Sequence, residues 1–507
     1  MMLSIKHWRT PATVAAFVIA AKGLAFGREA VVASELGVSA SSDAYYLAFA
    51  LPTVLYNLLA LPFSLWVTAR LKTASSAGAD SGPAVYRRAL LVVSGLGAVL
   101  ALGAVVAAPM LVTAYAPGLE ENRLAEAVSV TRIGVLAIPA LGIQAVGNGK
   151  LFATGRFATA YGWLALSGLV GLVVVIELTP RYGAAGAVSA FVAAGWTAAL
   201  GGMFSAGRSM DLQEPGFGGP VSPDEFGPGI VYRACVMQVF FQGSLLLMYA
   251  FGSVLPPGEL AASLFGSKVQ AAVYETVVVT VGAFVYPRIA QLLHGRDHRA
   301  VWDAVIRTLS WLLPATAGLG VLLVTCRREI VALIYERHAF DERAAQLVAS
   351  ALLGYAPGIA GLTLVEIVHR AMVLRGQLRG YLTAFSSALM LNWLSCYFLV
   401  PRLGVPGLTL SSSVGVLVAG TGLVVHACRR LESVDTRQLL LLVLRTTLAA
   451  GLTLIGLTAL HPAFVIHTSA FGKLLAVASS GVAAATILTL ALLALGHRWQ
   501  AAGSSAN

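Results

Sequence analysis

Fourteen apolar runs, each about twenty residues or longer, follow one another along this chain with short polar links between them. A helix needs roughly 20 apolar residues to cross a ~30 Å hydrocarbon core. In that solvent every backbone N–H and C=O must be satisfied within the segment, so a run of this length crosses as a helix. The runs are roughly 10–33, 43–70, 88–114, 124–154, 158–178, 183–206, 229–253, 258–292, 304–326, 344–373, 381–400, 406–428, 438–460 and 472–496. The balance of 58% apolar and 11% charged residues, with a mean hydropathy of +0.81, excludes a soluble domain of 507 residues. The chain reads as an all-α polytopic membrane protein with about 14 transmembrane helices.

The net charge of +11 does not point to nucleic acid, because the Lys and Arg residues are spread through short loops. The first run carries Lys22 and lacks a small-residue cleavage site before Arg28, so it reads as a helix that stays. Cys235, Cys326, Cys396 and Cys428 have no metal-ligand spacing. With the N-terminus inside, the loops at Lys6/Arg9, Arg70–Arg88, Lys150/Arg156, Arg208, Arg288–Arg299, Arg375/Arg379, Arg429–Arg437 and Arg498 all face the cytoplasm. The outside keeps Arg123, Arg181, Arg402, Lys473 and a mixed cluster at 327–343. Basic residues favour the inside by roughly two to one, so both termini are expected in the cytoplasm of a bacterial inner membrane. The cluster at 327–343 is the exception, and acids are mixed closely into it.

The longest link, rich in Gly and Pro, divides the chain into halves. PMLVTAYAPGLEENRLAEAV (109–128) resembles REIVALIYERHAFDERAAQL (328–347) in order: apolar helix end, Tyr, turn, charged start of the next helix. Six helices separate equivalent points, so the two copies share orientation. The expected organisation is an N-lobe of six helices at 1–206, a cytoplasmic linker at 207–228, a C-lobe of six at 229–430, and two added helices at 431–507.

Charges inside the apolar runs narrow the function. Lys22 lies roughly 15 Å into the first run, near mid-membrane. A cation there costs on the order of 2.5–3.5 kcal/mol, so it faces protein or a wet cavity rather than lipid. Arg28 is about 9 Å nearer the far surface, and Asp43 opens the second helix, where a carboxylate suits the macrodipole. Lys22 either snorkels or pairs structurally with Asp43, or it helps build a positive cavity for an anion. Lys268 is at mid-depth in the eighth run, with Glu275 two helical turns on; a purely structural pair of charges is the alternative. Glu366 and Arg370 are spaced for an ordinary i,i+4 pair. Pro52, Pro62, Pro139, Pro287, Pro314 and Pro357 bend helices, as is common where helices line cavities. GNGK (147–150) lacks the spacing of a phosphate loop, so nothing here resembles a nucleotide site. No large loop carries paired carboxylates or a Ser/His set, which argues against an enzyme of glycan assembly or a protease. No cofactor is expected; the drive is an ion gradient, the membrane potential or the substrate gradient.

Three stretches resemble the MurJ/MviN family of the multidrug/oligosaccharidyl-lipid/polysaccharide exporter superfamily. GLAFGREAVVASELGVSASSDAYYLAFALP (23–52) is similar to the family's opening pattern. IYERHAF (334–340) is similar to its Y-[EQ]-R-G-A-F turn, and GVPGLTLSSSVG (404–415) to its G-x-x-G-L-[AS]-L-[AS] turn. The resemblance implies a MATE-like, MurJ-type fold of two lobes that carries undecaprenyl-diphosphate-linked peptidoglycan precursor, lipid II, outward by alternating access. It implies a basic cavity for the diphosphate and sugar, with Lys22, Arg28, Asp43 and Lys268 at the family's cavity positions. The family's sodium site would map to Asn392, the Leu408 carbonyl and Ser412, but Cys396 stands where an aspartate would be. That absence argues against sodium coupling. Tyr56 and Asn57 replace two arginines of the family's second helix. This loss of charge keeps open another polyprenyl-linked oligosaccharide, such as an exopolysaccharide or O-antigen repeat unit. A MATE-type drug or cation antiporter is a further alternative, but it needs acidic groups where this chain has lysines. The expected partners are a polyprenyl-diphosphate-linked glycan and the bilayer, with the protein acting as a monomer.

Overall fold

The computed structural model describes residues 5–60, 63–64, 66–68, 70–71, 81–208, 228–282, 285, 289, 291–292, 298–374, 378–430, 436–465 and 469–496. Among these residues every element is helical: α1 (Ile5–Leu36), α2 (Ala40–Ala48), α3 (Ala50–Leu55), α4 (Ser81–Tyr115), α5 (Glu121–Gly134), α6 (Ile138–Ala153), α7 (Phe157–Tyr182), α8 (Ala184–Gly207), α9 (Pro228–Gly252), α10 (Glu259–Val273), α11 (His298–Thr325), α12 (Arg327–Tyr335), α13 (Glu342–Leu374), α14 (Leu378–Leu403), α15 (Val405–Arg430), α16 (Thr436–Phe464) and α17 (Ala470–Ala494). Each of the fourteen expected apolar runs contains helix. Among the described residues, ten helices are long and apolar enough to cross a membrane.

Two of the remaining runs are broken by π-turns, at Tyr56–Ala60 after α3 and at Tyr274–Val279 after α10. Such turns shift the hydrogen-bond register to i→i+5 and mark functional stretches of helix. The short amphipathic α12 has no counterpart in the expected runs. The Gly/Pro-rich linker lies, over 209–227, outside the described residues.

The chain divides into two compact units. The first comprises Met1–Ala261 with Arg337–Phe340, the second Ala262–Glu336 with Asp341–Asn507. Small residues bring the helices close, as is usual where the solvent is as apolar as the side chains. In the first unit Gly147 of α6 lies against Gly202 of α8, and Gly201 of α8 against the Trp163 ring. The outward faces of α4, α16 and α17 carry exposed Leu and Val, the expected lipid-facing surface.

The internal repeat is visible in the geometry of each unit. Tyr115 donates its hydroxyl proton to the backbone carbonyl of Leu47 (3.0 Å), and Tyr335 to that of Phe265 (3.4 Å). The acceptors are 218 residues apart and the donors 220. In the next position along, Gly134 packs on Ala48 in the first unit, and Gly266 packs on Ala351 in the second. The close approach is preserved while the glycine changes helix. The turn RYGAAG (181–186) of the first unit likewise matches RLGVPG (402–407) of the second. Gly183 and Gly404 adopt φ of +57° and +60°, a left-handed conformation that favours glycine. Three residues on, Gly186 and Gly407 sit against the carbonyls of Leu178 and Leu399.

Candidate functional site

Helix α1 carries the first three charges. Lys22 is exposed from its unit, in the middle of the helix, while Arg28 is half-buried. Arg28 Nη2 lies 3.3 Å from Glu29 Oε1, and the Glu29 residue is only 5% exposed. Two phenols of α2 complete its shell: Tyr45 donates to Oε1 (3.3 Å) and Tyr46 to Oε2 (2.9 Å). A buried carboxylate is tolerable only with such partners, and bonds to an ionised group are the stronger kind. Aromatic edges hold the phenols in place, with Tyr45 against Phe49 (4.6 Å) and Phe49 against Phe191 of α8 (4.5 Å). Glu29 was not among the expected site residues. Its signal was a second ionisable group beside Arg28 in a membrane helix.

Asp43 is placed by a reciprocal cap. Ser39 and Ser42 each accept from the other's backbone N–H, which starts α2 sharply. The Asp43 carboxylate, 1% exposed, then reaches a different helix. It accepts from Gly258 N–H (2.7 Å) and Ala261 N–H (2.8 Å) and pairs with Arg123 Nη2 (2.8 Å). Gly258 precedes α10 and Ala261 is in its first turn, so Asp43 caps the positive end of α10 from 215 residues away in sequence. Arg123 also donates to the Leu255 carbonyl (3.2 Å).

Neighbouring loops pack into the same region. Gly118 N–H bonds Ser253 Oγ (3.0 Å), and Ala339 N–H bonds the Ser34 carbonyl (2.9 Å). At Gly258, φ is +88° and a side chain would run into the Val38 backbone at 2.6 Å. Arg123 had been read only as an outside charge. Its role depends on a contact no local pattern reveals.

In the second unit Lys268 is half-buried on α10, and Glu275 is exposed at the π-turn that follows. The π-turn offsets the simple two-turn spacing expected between them. Gln270 donates to the Tyr355 carbonyl (2.8 Å), and Tyr274 donates to Glu366 Oε2 (3.1 Å). Glu366 therefore takes a partner from across the unit. The side chain of Arg370, its expected partner, lies outside the described residues.

The positions mapped to an ion site fall on α14 and α15. Asn392 is buried and accepts from Cys396 Sγ (3.6 Å), Leu408 is buried, and Ser412 is half-buried. The surrounding polar groups are hydroxyls: Ser411 donates to Gly407 O (2.7 Å) and Ser413 to Gly354 O (2.5 Å). The set is neutral, and a thiol replaces a hard oxygen donor.

Tyr56, which stands for an arginine of the resembled pattern, lines an apolar pocket of about 240 Å³ with Pro52, Leu55, Leu96, Ile138 and Leu141. Its ring is therefore part of a non-polar wall.

Comparison with known proteins follows the same lines. The family described as "Lipid II flippase MurJ" matches residues 32–475. A lipid II flippase MurJ of Burkholderia cenocepacia is 24% identical over 430 residues, covering 80% of this chain and 81% of that protein. A probable lipid II flippase MurJ of Rhizobium tropici is 22% identical over 435 residues, covering 82% and 80%. Among solved structures, a lipid II flippase MurJ in an inward closed conformation superposes with a TM-score of 0.75 at 15% identity, covering 94% of this chain and 99% of that one. An inward-facing multidrug resistance MATE family transporter of the MOP superfamily gives 0.65 at 13% identity, covering 81% and 94%.

Proposed function

The chain belongs to the lipid II flippase MurJ family, and from that premise we propose that it carries lipid II from the inner to the outer leaflet of a bacterial cytoplasmic membrane. It is a transporter and not an enzyme. It works as a monomer by alternating access, with both termini in the cytoplasm. Its lobes are helices within 1–206 and 229–430, joined through 207–228 and followed by two further helices in 431–507.

The observation that carries this reading is Lys22, a cation exposed from its unit in the middle of a 32-residue apolar helix. Exposure to lipid at that depth is unfavourable, whereas a wet cavity with an anion in it is not. A diphosphate is the matching ligand, since charge-assisted bonds strengthen in a low-dielectric site. In this reading Arg28 of the first unit, and Lys268 and Glu275 of the second, are further substrate-binding charges. Asp43, with Arg123, fixes the start of α10 within the first unit. Asn392, Leu408 and Ser412 form a neutral remnant of an ion site, which counts against sodium; the drive is another ion gradient, the membrane potential or the substrate gradient.

One observation favours a second substrate. The apolar wall at Tyr56 removes cationic character from the second helix, which suits a polyprenyl-linked oligosaccharide with a less anionic head than lipid II.

The test is complementation of a bacterium depleted of its own lipid II flippase, with wild type and Lys22→Ala side by side. Rescue by wild type alone supports lipid II and the cavity cation together. Failure of wild-type protein that has reached the membrane moves the substrate to the other oligosaccharide.

A further inference from the structure

The mixed charges at 327–343 stood against the loop-charge pattern, and the transport reading makes no use of them. In the structure the first three of them, Arg327, Arg328 and Glu329, line a pocket of about 400 Å³ in the second unit, where α11 stops at Thr325 and α16 stops at Phe464. Arg327, Arg328, Glu329, Thr458, His461 and Val465 line it. The volume is that of a small-ligand site.

Both signs of charge are built in. Arg327 and Arg328 open the nine-residue helix α12, whose first turn has no side-chain cap, so two guanidiniums and the positive end of a helix converge there. Arg327 is steadied by its bond to the Val324 carbonyl (2.6 Å). Glu329 is held through one oxygen only: Oε1 lies 3.4 Å from His461 Nε2, and Oε2 is buried with no hydrogen-bond partner. His461 is fixed from its other side by Ser480 Oγ (3.1 Å) and Cys326 Sγ (3.8 Å). An unpaired buried carboxylate oxygen is costly, and a donor is what it lacks. Glu329 lines the pocket, and the terminal torsion that would present its carboxylate there is soft.

Val465 at the pocket edge and Leu460, Phe471 and Leu474 nearby in sequence are exposed apolar side chains. The charged groups therefore sit where helices meet the membrane surface, directly beside side chains suited to acyl chains.

We infer that this pocket holds the headgroup of a phospholipid carrying both a phosphate and a primary ammonium, of the phosphatidylethanolamine type. The phosphate meets Arg327, Arg328 and the start of α12. The ammonium donates to Glu329 Oε2, which a quaternary ammonium cannot do for want of an N–H. An anionic glycerol headgroup satisfies the arginines but brings no donor of that charge to the carboxylate. The bound lipid ties α12 to α16. The inference does not rest on the substrate assigned to the transporter.

Native mass spectrometry of the full chain, released from vesicles of equal phosphatidylethanolamine, phosphatidylcholine and phosphatidylglycerol, tests it. Wild type should retain phosphatidylethanolamine about tenfold over phosphatidylcholine, the equivalent of one charge-assisted bond. Glu329→Gln should erase that preference, while Arg328→Gln, at an exposed position, should lower retention of both lipids alike. Competition by soluble phosphoethanolamine assigns the site to the amino-phosphate chemistry itself; resistance to it assigns the site to the lipid. Equal retention of the three lipids by wild type, or an unchanged preference in Glu329→Gln protein of wild-type thermal stability, overturns the inference.

Discussion

The two units are built on one frame and spend their polar groups differently. In each, a tyrosine hydroxyl ties its helix to a backbone carbonyl of a partner, Leu47 in one and Phe265 in the other, and a glycine–alanine pair sets the adjoining helix approach. Around that frame the first unit adds ionised groups: Glu29 under two phenols and Arg28, and Asp43 under Arg123 and two backbone amides. At the place in the repeat that corresponds to Asp43 stands Ala261, at the boundary of the first unit, and Arg343, the counterpart of Arg123, is exposed. The bonds of the second unit include neutral ones such as Thr316 with Thr363 (3.0 Å) and Gln270 with the Tyr355 carbonyl (2.8 Å), beside the carboxylates of Glu366 and Glu329. The frame therefore stands without the charges. Buried ions are a weak source of net stability, because desolvation cancels much of their attraction. Among the described residues, the Asp43–Arg123 pair has no ion pair at the corresponding place in the second copy.

The largest effect expected is at Asp43. Asp43→Ala leaves Arg123 and two amides unpaired in the interior and should lower unfolding stability in detergent by about 3–5 kcal/mol. Arg343→Ala, at the corresponding place in the other copy, should change it by less than about 0.5 kcal/mol. Equal losses would erase the contrast between the units. The double replacement of Asp43 by Ala and Arg123 by Met should cost less than Asp43→Ala alone, since no orphaned cation remains; strict additivity would mean the pair is not coupled.

Next is Tyr46→Phe, which removes one donor from Glu29 and should cost about 1–3 kcal/mol by thermal or denaturant unfolding. A change within error would mean water already serves that oxygen.

Tyr115→Phe and Tyr335→Phe probe the shared frame. Each should cost about 0.5–1.5 kcal/mol, and their effects should add, because the two bonds have no common partner.

The smallest effect has the opposite sign. His338 holds φ at +48° at the place where the resembled turn has glycine. His338→Gly should stabilise the turn by up to about 1 kcal/mol. A loss instead would reveal a bond made by the imidazole.

Much of this architecture was written in local patterns. The helices follow from the length of the apolar runs, because lipid offers the backbone no alternative partner. The repeat showed in the matching order around Tyr115 and Tyr335, and the family resemblance in residues that surround glycine turns. What escaped the sequence was set by distance or by register. Nothing near Asp43 announces that it caps a helix 215 residues on. Glu29 looked like a companion to Arg28 until the tyrosines of α2 enclosed it. The π-turns after α3 and α10 insert a register shift that hydrophobic periodicity does not record. Helix α12 was legible only as a helix end before Tyr335; its separate start at Arg327, with three charges in the first turn, was not. Lys22 stands out in the sequence because a charge in mid-membrane is expensive anywhere, whereas the partners of Asp43 depend on the fold itself.

The most direct test of the account is translocation of labelled lipid II in proteoliposomes containing wild type, Lys22→Arg or Lys22→Gln. A cavity cation that grips a diphosphate predicts transport by wild type, substantial transport by Lys22→Arg, and at least about a tenfold loss in Lys22→Gln, the equivalent of one lost charge-assisted bond. Wild-type rates in Lys22→Gln would contradict the account, because the charge that defines the cavity would then do nothing for the substrate.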